Sequence, residues 1–389
     1  MAIYAKPLSK RMTAVFGEVD QMLQQTRFIQ KIASLTDQFD NPFVDDTFMR
    51  ASEGFFTASA LDCVQSGGYR LPFEHVRNAS SLGVPIVRFL AHGSSPIGGA
   101  FFNPDGVHVR EEAAFHAALD QLTAEARADV LLWPFFPLEA REYGWLEKWL
   151  VTRLGRSDAS DVIPMARRHK RAYLNCASDN VAAEDGGMSL SRNKRKTTGR
   201  QWRRLSDLGK LEVLSTQDGL DYGEAIESFL HVEASGWKAS KGTALAVDER
   251  LNAFVHKVFS EMMAKDRARI DLLSLDGRCI GGLVSFRVGR GLFTWKTGMD
   301  DVYKRYSPGV QILLEASRQA IADPGIDYID SLADSGHPIA EHIWAGRRSM
   351  ALLFVPLNRR GTLAARGLRT AYVARDSARY WAKRALGRV

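Results

Sequence analysis

The chain has 389 residues, 45% hydrophobic and 25% charged, proportions of a globular protein large enough for two ordinary domains. No stretch approaches the roughly 20 apolar residues that cross a bilayer, and the opening MAIYAKPLSKRM lacks the apolar run of a secretory signal. Cys63, Cys176 and Cys279 are widely spaced, which argues against a disulfide framework or a metal site and for a cytoplasmic protein. The net charge of +7 is local. Residues 359–389 hold nine Lys/Arg and one acid, Asp376, for a charge of +8, so residues 1–358 sum to −1. The high overall charge therefore says nothing about nucleic-acid binding by the body of the protein.

Residues 8–36 show a helical pattern, with Val15, Val19, Met22 and Leu23 near one face. Asp40–Asp46 is a turn-rich break, and Thr47–Val64 is ambiguous. Val84–Ala91 reads as a strand and Ile97–Phe102 as its hairpin partner. A helix over Glu111–Ala126, a buried strand over Asp129–Phe136, a helix over Tyr143–Leu154 and a strand within Val162–Cys176 follow. The polar stretch 180–187 marks a domain boundary. Ser189–Leu208 is a basic helix with seven cations and no acid between Arg192 and Arg204. Lys210–Ser215 is a strand, Tyr222–Glu233 a helix, and Asp248–Lys265 the clearest amphipathic helix of the chain. Arg269–Gly277 and Arg278–Gly289 form a hairpin.

Gly291–Gly298 reads as a strand, Met299–Tyr306 as a charged connection, and Ser307-Pro308-Gly309-Val310 as a helix start. Ser307 is expected to cap with its hydroxyl, Pro308 to occupy the first helical position, and Gly309 to permit close approach. Free N–H groups, the helix dipole, Lys304 and Arg305 together suit a phosphate, although a plain capped helix has the same signature. Ile326–Leu332 and Met350–Leu357 are further strands. The halves echo each other in their order of elements and in Ile97-Gly98-Gly99 against Ile280-Gly281-Gly282. The first copy's helix opens with acids instead of cations, so ligand binding is expected in the second copy.

The strings LHVEASGWKASKGTAL (Leu230–Leu245), WKTGMDDVYKRYSPGVQILLEA (Trp295–Ala316) and DSGHPIAEHIW (Asp334–Trp344) carry a resemblance. They are similar to the bacterial acetyltransferase-like family of cellulose and exopolysaccharide loci, a CelD-like branch of the GNAT superfamily related to the FemAB transferases. The resemblance implies an α/β fold of tandem GNAT-like domains, the first degenerate, and acyl transfer from acetyl-CoA or another acyl-CoA to an amine. The expected divisions are 1–40, an N-terminal extension; 41–179, the degenerate copy; 180–358, the acyltransferase copy; and 359–389, a basic tail. The phosphate loop departs from the family pattern: Arg305-Tyr-Ser-Pro-Gly309-Val has one extra residue and a proline.

Acyl transfer from a thioester needs a base, an oriented amine and a grip on the donor. Glu233, Asp330 and His337 are the candidate bases. Lys304, Arg305, Tyr306, Ser307, Gly309 and Val310 are the candidate donor site. Trp237, Lys238, Lys296, Asp300 and Asp334 are candidate acceptor contacts, with Lys296 and Asp300 placed there by the resemblance. No metal is expected. Ion pairing for Glu233 and Lys238, packing for Trp237 and a structural His337 are the alternatives. The basic helix suits a phosphorylated partner, whether CoA, an anionic sugar polymer or tRNA. The tail suits either an anionic membrane surface or a disordered end. The functional readings are an acyl-CoA N-acyltransferase on a sugar-derived or envelope precursor, an aminoacyl-tRNA-dependent transferase, and a non-catalytic envelope-assembly factor.

Overall fold

The computed structural model describes residues 41–52, 62–76, 83–89, 100–101, 110–158, 162–176, 188, 190–235, 245–246, 249–333 and 339–385. The helical pattern of residues 8–36, the Ile97-Gly98-Gly99 string and the polar stretch 180–187 lie outside them.

Helix α1 (Asp46–Ser52) precedes a hairpin of β1 (Asp62–Ser66) and β2 (Tyr69–His75). The described residues of the ambiguous 47–64 thus belong to a helix up to Ser52 and to a strand from Asp62. Gly67 and Gly68 make the two-residue turn with φ of 54° and 87°, the positive values that match the twist of paired strands. β3 (Ile86–Phe89) pairs antiparallel with β2 and parallel with β5 (Val130–Pro137). β4 (Ala100–Phe101) also pairs with β2. The expected hairpin between residues 84–91 and 97–102 therefore does not form. Both edges of β3 are already taken, and β3 and β4 follow one another along β2. Helix α2 (Glu112–Ala126) leads into β5, and α3 (Arg141–Leu154) leads to β6 (Met165–Asn175).

The second half runs α4 (Arg192–Ser206), β7 (Leu211–Ser215), α5 (Tyr222–Ala234), α6 (Glu249–Ala264), β8 (Ala268–Leu275), β9 (Arg278–Val288) and β10 (Gly291–Met299). A 3-10 turn, Asp301–Tyr306, stands where a charged connection was expected. Then come α7 (Pro308–Ala322), β11 (Tyr328–Asp330), α8 (Ala340–Ile343), β12 (Gly346–Pro356) and α9 (Arg359–Ala385). The last strand begins at Gly346 instead of Met350, because Arg347 and Arg348 belong to it. A charged pair hides a strand start when one of its members is buried.

The strands make one mixed sheet, in the order β1-β2-β3-β5-β12-β6-β11-β10-β9-β8-β7. Hairpin, third strand, helix and parallel return occur twice: β1-β2-β3/β4-α2-β5, and β8-β9-β10-α7-β11. β6, which closes the first half of the chain, pairs with β11 of the second. β12, which closes the second, pairs with β5 of the first. Each half thus completes the other's sheet, and the sheet runs unbroken past residue 180.

Two neighbouring glycines set the layers around β9. A Cβ on Gly281 would lie 3.0 Å from the Pro308 side chain, and one on Gly282 would lie 2.8 Å from the Phe229 ring. Successive residues of a strand face opposite ways, so α7 covers one face and α5 the other. On the α5 side, Phe48, Phe254, Phe259, Phe286 and Trp295 pack largely edge to face. Each such ring contributes about 1.5–3 kcal/mol by leaving water. On the α7 side, Leu205 of the basic helix is buried with Ile312, Leu313 and Trp344.

Candidate functional site

β10 pairs with β11 over three residues only, Gly291–Phe293 against Tyr328–Asp330. β11 ends there, while β10 runs on to Met299 beside β9, with its register broken between Thr294 and Lys296. Two parallel strands that part at their C-terminal ends leave a crevice in the sheet, the usual position of a ligand in open α/β folds. The first turn of α7 stands on one face of this opening. A Cβ on Gly309 would meet Thr297 Cγ2 at 3.4 Å and Met299 Sδ at 3.9 Å, ordinary contacts. The tight approach expected at Gly309 is found at Gly281 instead. On the other face the end of α5 lies under Gly298, where a Cβ would come within 2.9 Å of Glu233 Cα.

The start of α7 differs from a simple capped helix. Pro308 is in the first turn, as expected, but the Ser307 hydroxyl makes no capping bond. Ser307 has φ 55° and ψ 56°, whereas a capping side chain needs extended backbone to reach the first-turn N–H groups. Its carbonyl instead accepts from Val310 N and Gln311 N at 2.9 and 3.1 Å. Its hydroxyl turns outward, and Gln201 Nε2 of α4 donates to it at 3.1 Å and to Arg305 O at 3.0 Å. A second tie runs from Gln311 Nε2 to Thr198 O at 3.1 Å. Left-handed backbone at a residue with a side chain costs on the order of 1–2 kcal/mol, and the two ties to α4 hold it.

These contacts close a pocket of about 390 Å³ lined by Thr197, Arg200, Gln201, Arg204, Arg305 and Tyr306. Three of its six lining residues are arginines and none is acidic. The Arg305 guanidinium lies 4.7 Å from the centre of the Tyr306 ring. Like charges lining one pocket repel, and an anion between them reverses the sign of the interaction. The expected donor residues divide accordingly. Arg305 and Tyr306 line the pocket, Ser307 is joined to it through Gln201, and Lys304 is exposed on the same turn. Gly309 is buried, and Val310 packs against the core below α7. Arg200, Arg204 and Thr197 come from the basic helix, whose charge run was the sequence signal for them.

Glu233 is buried at the end of α5, and its Oε2 accepts from Leu245 N at 2.8 Å. Asp330 is buried at the end of β11. It accepts from Leu332 N at 2.8 Å and from Arg348 at 2.9 Å, with Arg171 at 3.6 Å. Arg171 and Arg348 are direct partners across β6 and β12, so Asp330 bridges a buried like-charge pair where the two halves meet and offsets part of its repulsion. Asp300 starts the 3-10 turn by accepting from Val302 N at 2.9 Å, and pairs with Arg278 at 2.7 Å. Lys296 is half-buried on β10, with its ammonium 5.5 Å from the Trp295 ring centre. Trp237, Lys238, Asp334 and His337 lie outside the described residues. Among the described residues no cluster of three or more His, Cys, Asp or Glu is placed to hold a metal.

Residues 192–337 match the family model of an acetyltransferase (GNAT) domain. No curated protein matches the chain. Among solved structures, a conserved protein of unknown function from Bacteroides thetaiotaomicron is similar with TM-score 0.50 and 9% identity, over 82% of this chain and 93% of that one. The C-terminal domain of a putative lysylphosphatidylglycerol synthetase from Agrobacterium fabrum has TM-score 0.49 and 11% identity, over 90% and 96%. FemX has TM-score 0.47 and 10% identity, over 85% and 94%. The matched segment begins with the basic helix α4 and contains the pocket, β10 and α7. Residues 192–337 are thus similar to a GNAT acetyltransferase domain, and they lie within the mixed α/β sheet of two repeated units described above.

Proposed function

We propose that the protein is an acyl-CoA-dependent N-acyltransferase, with residues 180–358 as its acyltransferase unit. It moves an acyl group, in the simplest case acetyl, to an amine of a sugar-derived or envelope precursor of the exopolysaccharide kind. The observation that carries this reading is the arginine pocket set against the first turn of α7, beside the parting of β10 and β11. A donor with phosphates at one end and a thioester at the other can place its phosphates in that pocket and its thioester in the crevice.

The chemistry has a balanced form. The amine attacks the thioester carbonyl, its proton passes to a base, the tetrahedral intermediate collapses, and the thiolate leaves and is protonated. Glu233 is the base we favour, for its place beside the end of β10 on the face opposite the donor phosphates. Its Oε2 accepts from Leu245 N, which orients the carboxylate. Asp330, bound by two arginines, has a positioning role at the crevice. Lys296 and Asp300 flank the acceptor side, and Trp237, Lys238, Asp334 and His337 complete the list of acceptor and proton-transfer candidates. The test is incubation of purified protein with acetyl-CoA and a panel of amino sugars, followed by thiol release and product mass. Release of CoA with a product heavier by one acetyl group supports the reading; absence of both across the panel opposes it.

A second reading is favoured by one feature. The seven cations of α4 extend over about 18 Å of helix, longer than one pocket requires. A tRNA-borne acyl donor would use the whole face, with a steep salt dependence. Filter retention of tRNA at low salt, lost when Arg195 and Lys196 are neutralised, would select it.

A further inference from the structure

The helix that ends the described chain, α9, has one face docked and another unused. Ala365 and Leu368 are buried against Ile86, Val130, Ala166, Leu352 and Phe354. Beyond them Arg167 pairs with Asp376 at 2.8 Å and lies over the Tyr372 ring. The described residues contain seven exposed large hydrophobics, and four of them are on this helix: Leu363 (79% exposed), Val373 (37%), Tyr380 (48%) and Trp381 (61%). They are not scattered. Leu363, Arg366, Thr370, Val373, Ser377, Tyr380 and Arg384 recur at alternating spacings of three and four, which puts them on one stripe turned away from the docked residues. Trp381 borders the stripe, with the Arg384 guanidinium 5.4 Å from its ring.

Charge gives the stripe a direction. Residues 359–385 carry eight Lys/Arg against the single Asp376, which Arg167 already occupies. Arg366 of the stripe joins Arg369, Arg168 and Tyr143 around a groove of about 720 Å³ that Glu147 and Pro164 also line, so three arginines stand against one carboxylate there. We propose that this face of α9 rests on an anionic lipid surface. The apolar and aromatic side chains enter the headgroup boundary, and a lipid phosphate sits in the arginine groove. A nucleic-acid backbone would satisfy the cations but gives no reason for Leu363, Val373, Tyr380 and Trp381 to stand in water. A basic helix with aromatic anchors meets both requirements of an interface. No described helix is long and apolar enough to cross a membrane, so the contact is a surface one. It is independent of acyl transfer.

The test is co-sedimentation of the full chain with vesicles of phosphatidylcholine alone, or of phosphatidylcholine and phosphatidylglycerol in equal parts. The protein is expected with the anionic vesicles only. Arg366→Ala and Arg369→Ala should each weaken partitioning about fivefold, the effect of about 1 kcal/mol per surface cation. The double variant Tyr380→Ala/Trp381→Ala should weaken it tenfold or more, and all of these side chains are exposed or line an open groove, so melting temperature serves as the folding control. Failure of the wild type to sediment with anionic vesicles overturns the proposal. So does a Tyr380→Ala/Trp381→Ala variant that sediments like the wild type, the result expected of a face that binds any polyanion, RNA included.

Discussion

The amide of Gln201 donates to the hydroxyl of Ser307 at 3.1 Å, and so joins the basic helix α4 to the first turn of α7. Through this bond a residue from the start of the matched domain shapes a pocket at the turn that precedes its central helix. Gln201→Ala should loosen the left-handed Ser307 and let the two elements drift. CoA affinity is expected to fall about tenfold, the worth of a hydrogen bond of roughly 1–1.5 kcal/mol, with a small change in melting temperature. Titration calorimetry beside a thermal melt checks this.

Glu233→Gln separates catalysis from structure. The glutamine carbonyl can still accept from Leu245 N, so stability should change little. Loss of a general base lowers kcat by roughly 10²–10⁴, with KM for acetyl-CoA nearly unchanged. A variant with full turnover would remove Glu233 from the mechanism.

Asp330→Asn should act the other way. It leaves Arg171 and Arg348 facing each other in the sheet without a buried carboxylate between them. Breaking a buried pair typically costs about 3–5 kcal/mol, and urea unfolding should show it. Wild-type stability in this variant would contradict the positioning role.

Two glycines beside the crevice should respond unequally. Gly298→Ala brings a methyl within 2.9 Å of Glu233 Cα, where backbone must move, and overpacking of this kind costs about 1–3 kcal/mol. Gly309→Ala meets only ordinary contacts and adds a better helix former, so its stability should stay within about 1 kcal/mol of the wild type.

Burial pushes the Cys279 thiol up to about 11 and the Cys176 thiol up to about 12. Burial likewise raises the Tyr173 hydroxyl to about 12. Each group holds its proton more tightly folded than unfolded. Their contribution is complete below the ordinary values, near pH 9 for the thiols, and is lost as pH rises through the folded values. Melting temperature should be level from pH 7 to about 9 and fall above it. Cys279→Ser should make the fall shallower.

Much of this architecture was legible in the sequence. The amphipathic helix ending in Met262 and Met263, the strands around Ile280-Gly281-Gly282 and the helix after Pro308 all follow from periodicity, glycine and proline. The β1–β2 hairpin has its own signal in Gly67-Gly68, set between Val64 and Leu71. What could not be read was non-local. The exchange of β6 and β12 between the halves depends on pairing across more than 150 residues. The left-handed Ser307 depends on Gln201, more than a hundred residues earlier. Asp330 looked like an available carboxylate because its two arginines arrive from β6 and β12. Arg200 and Arg204 looked like part of a solvated face until α4 was set against the turn holding Arg305.

The most direct measurement is calorimetric titration of CoA and acetyl-CoA into the wild type and Arg305→Ala. The pocket predicts saturable one-site binding by the wild type. It also predicts a loss of at least tenfold in the variant, as expected for a charge-assisted contact of about 1.5–3 kcal/mol, at an unchanged melting temperature. No binding of either ligand by the wild type, or equal binding by Arg305→Ala, would contradict the assignment of this pocket to the acyl donor.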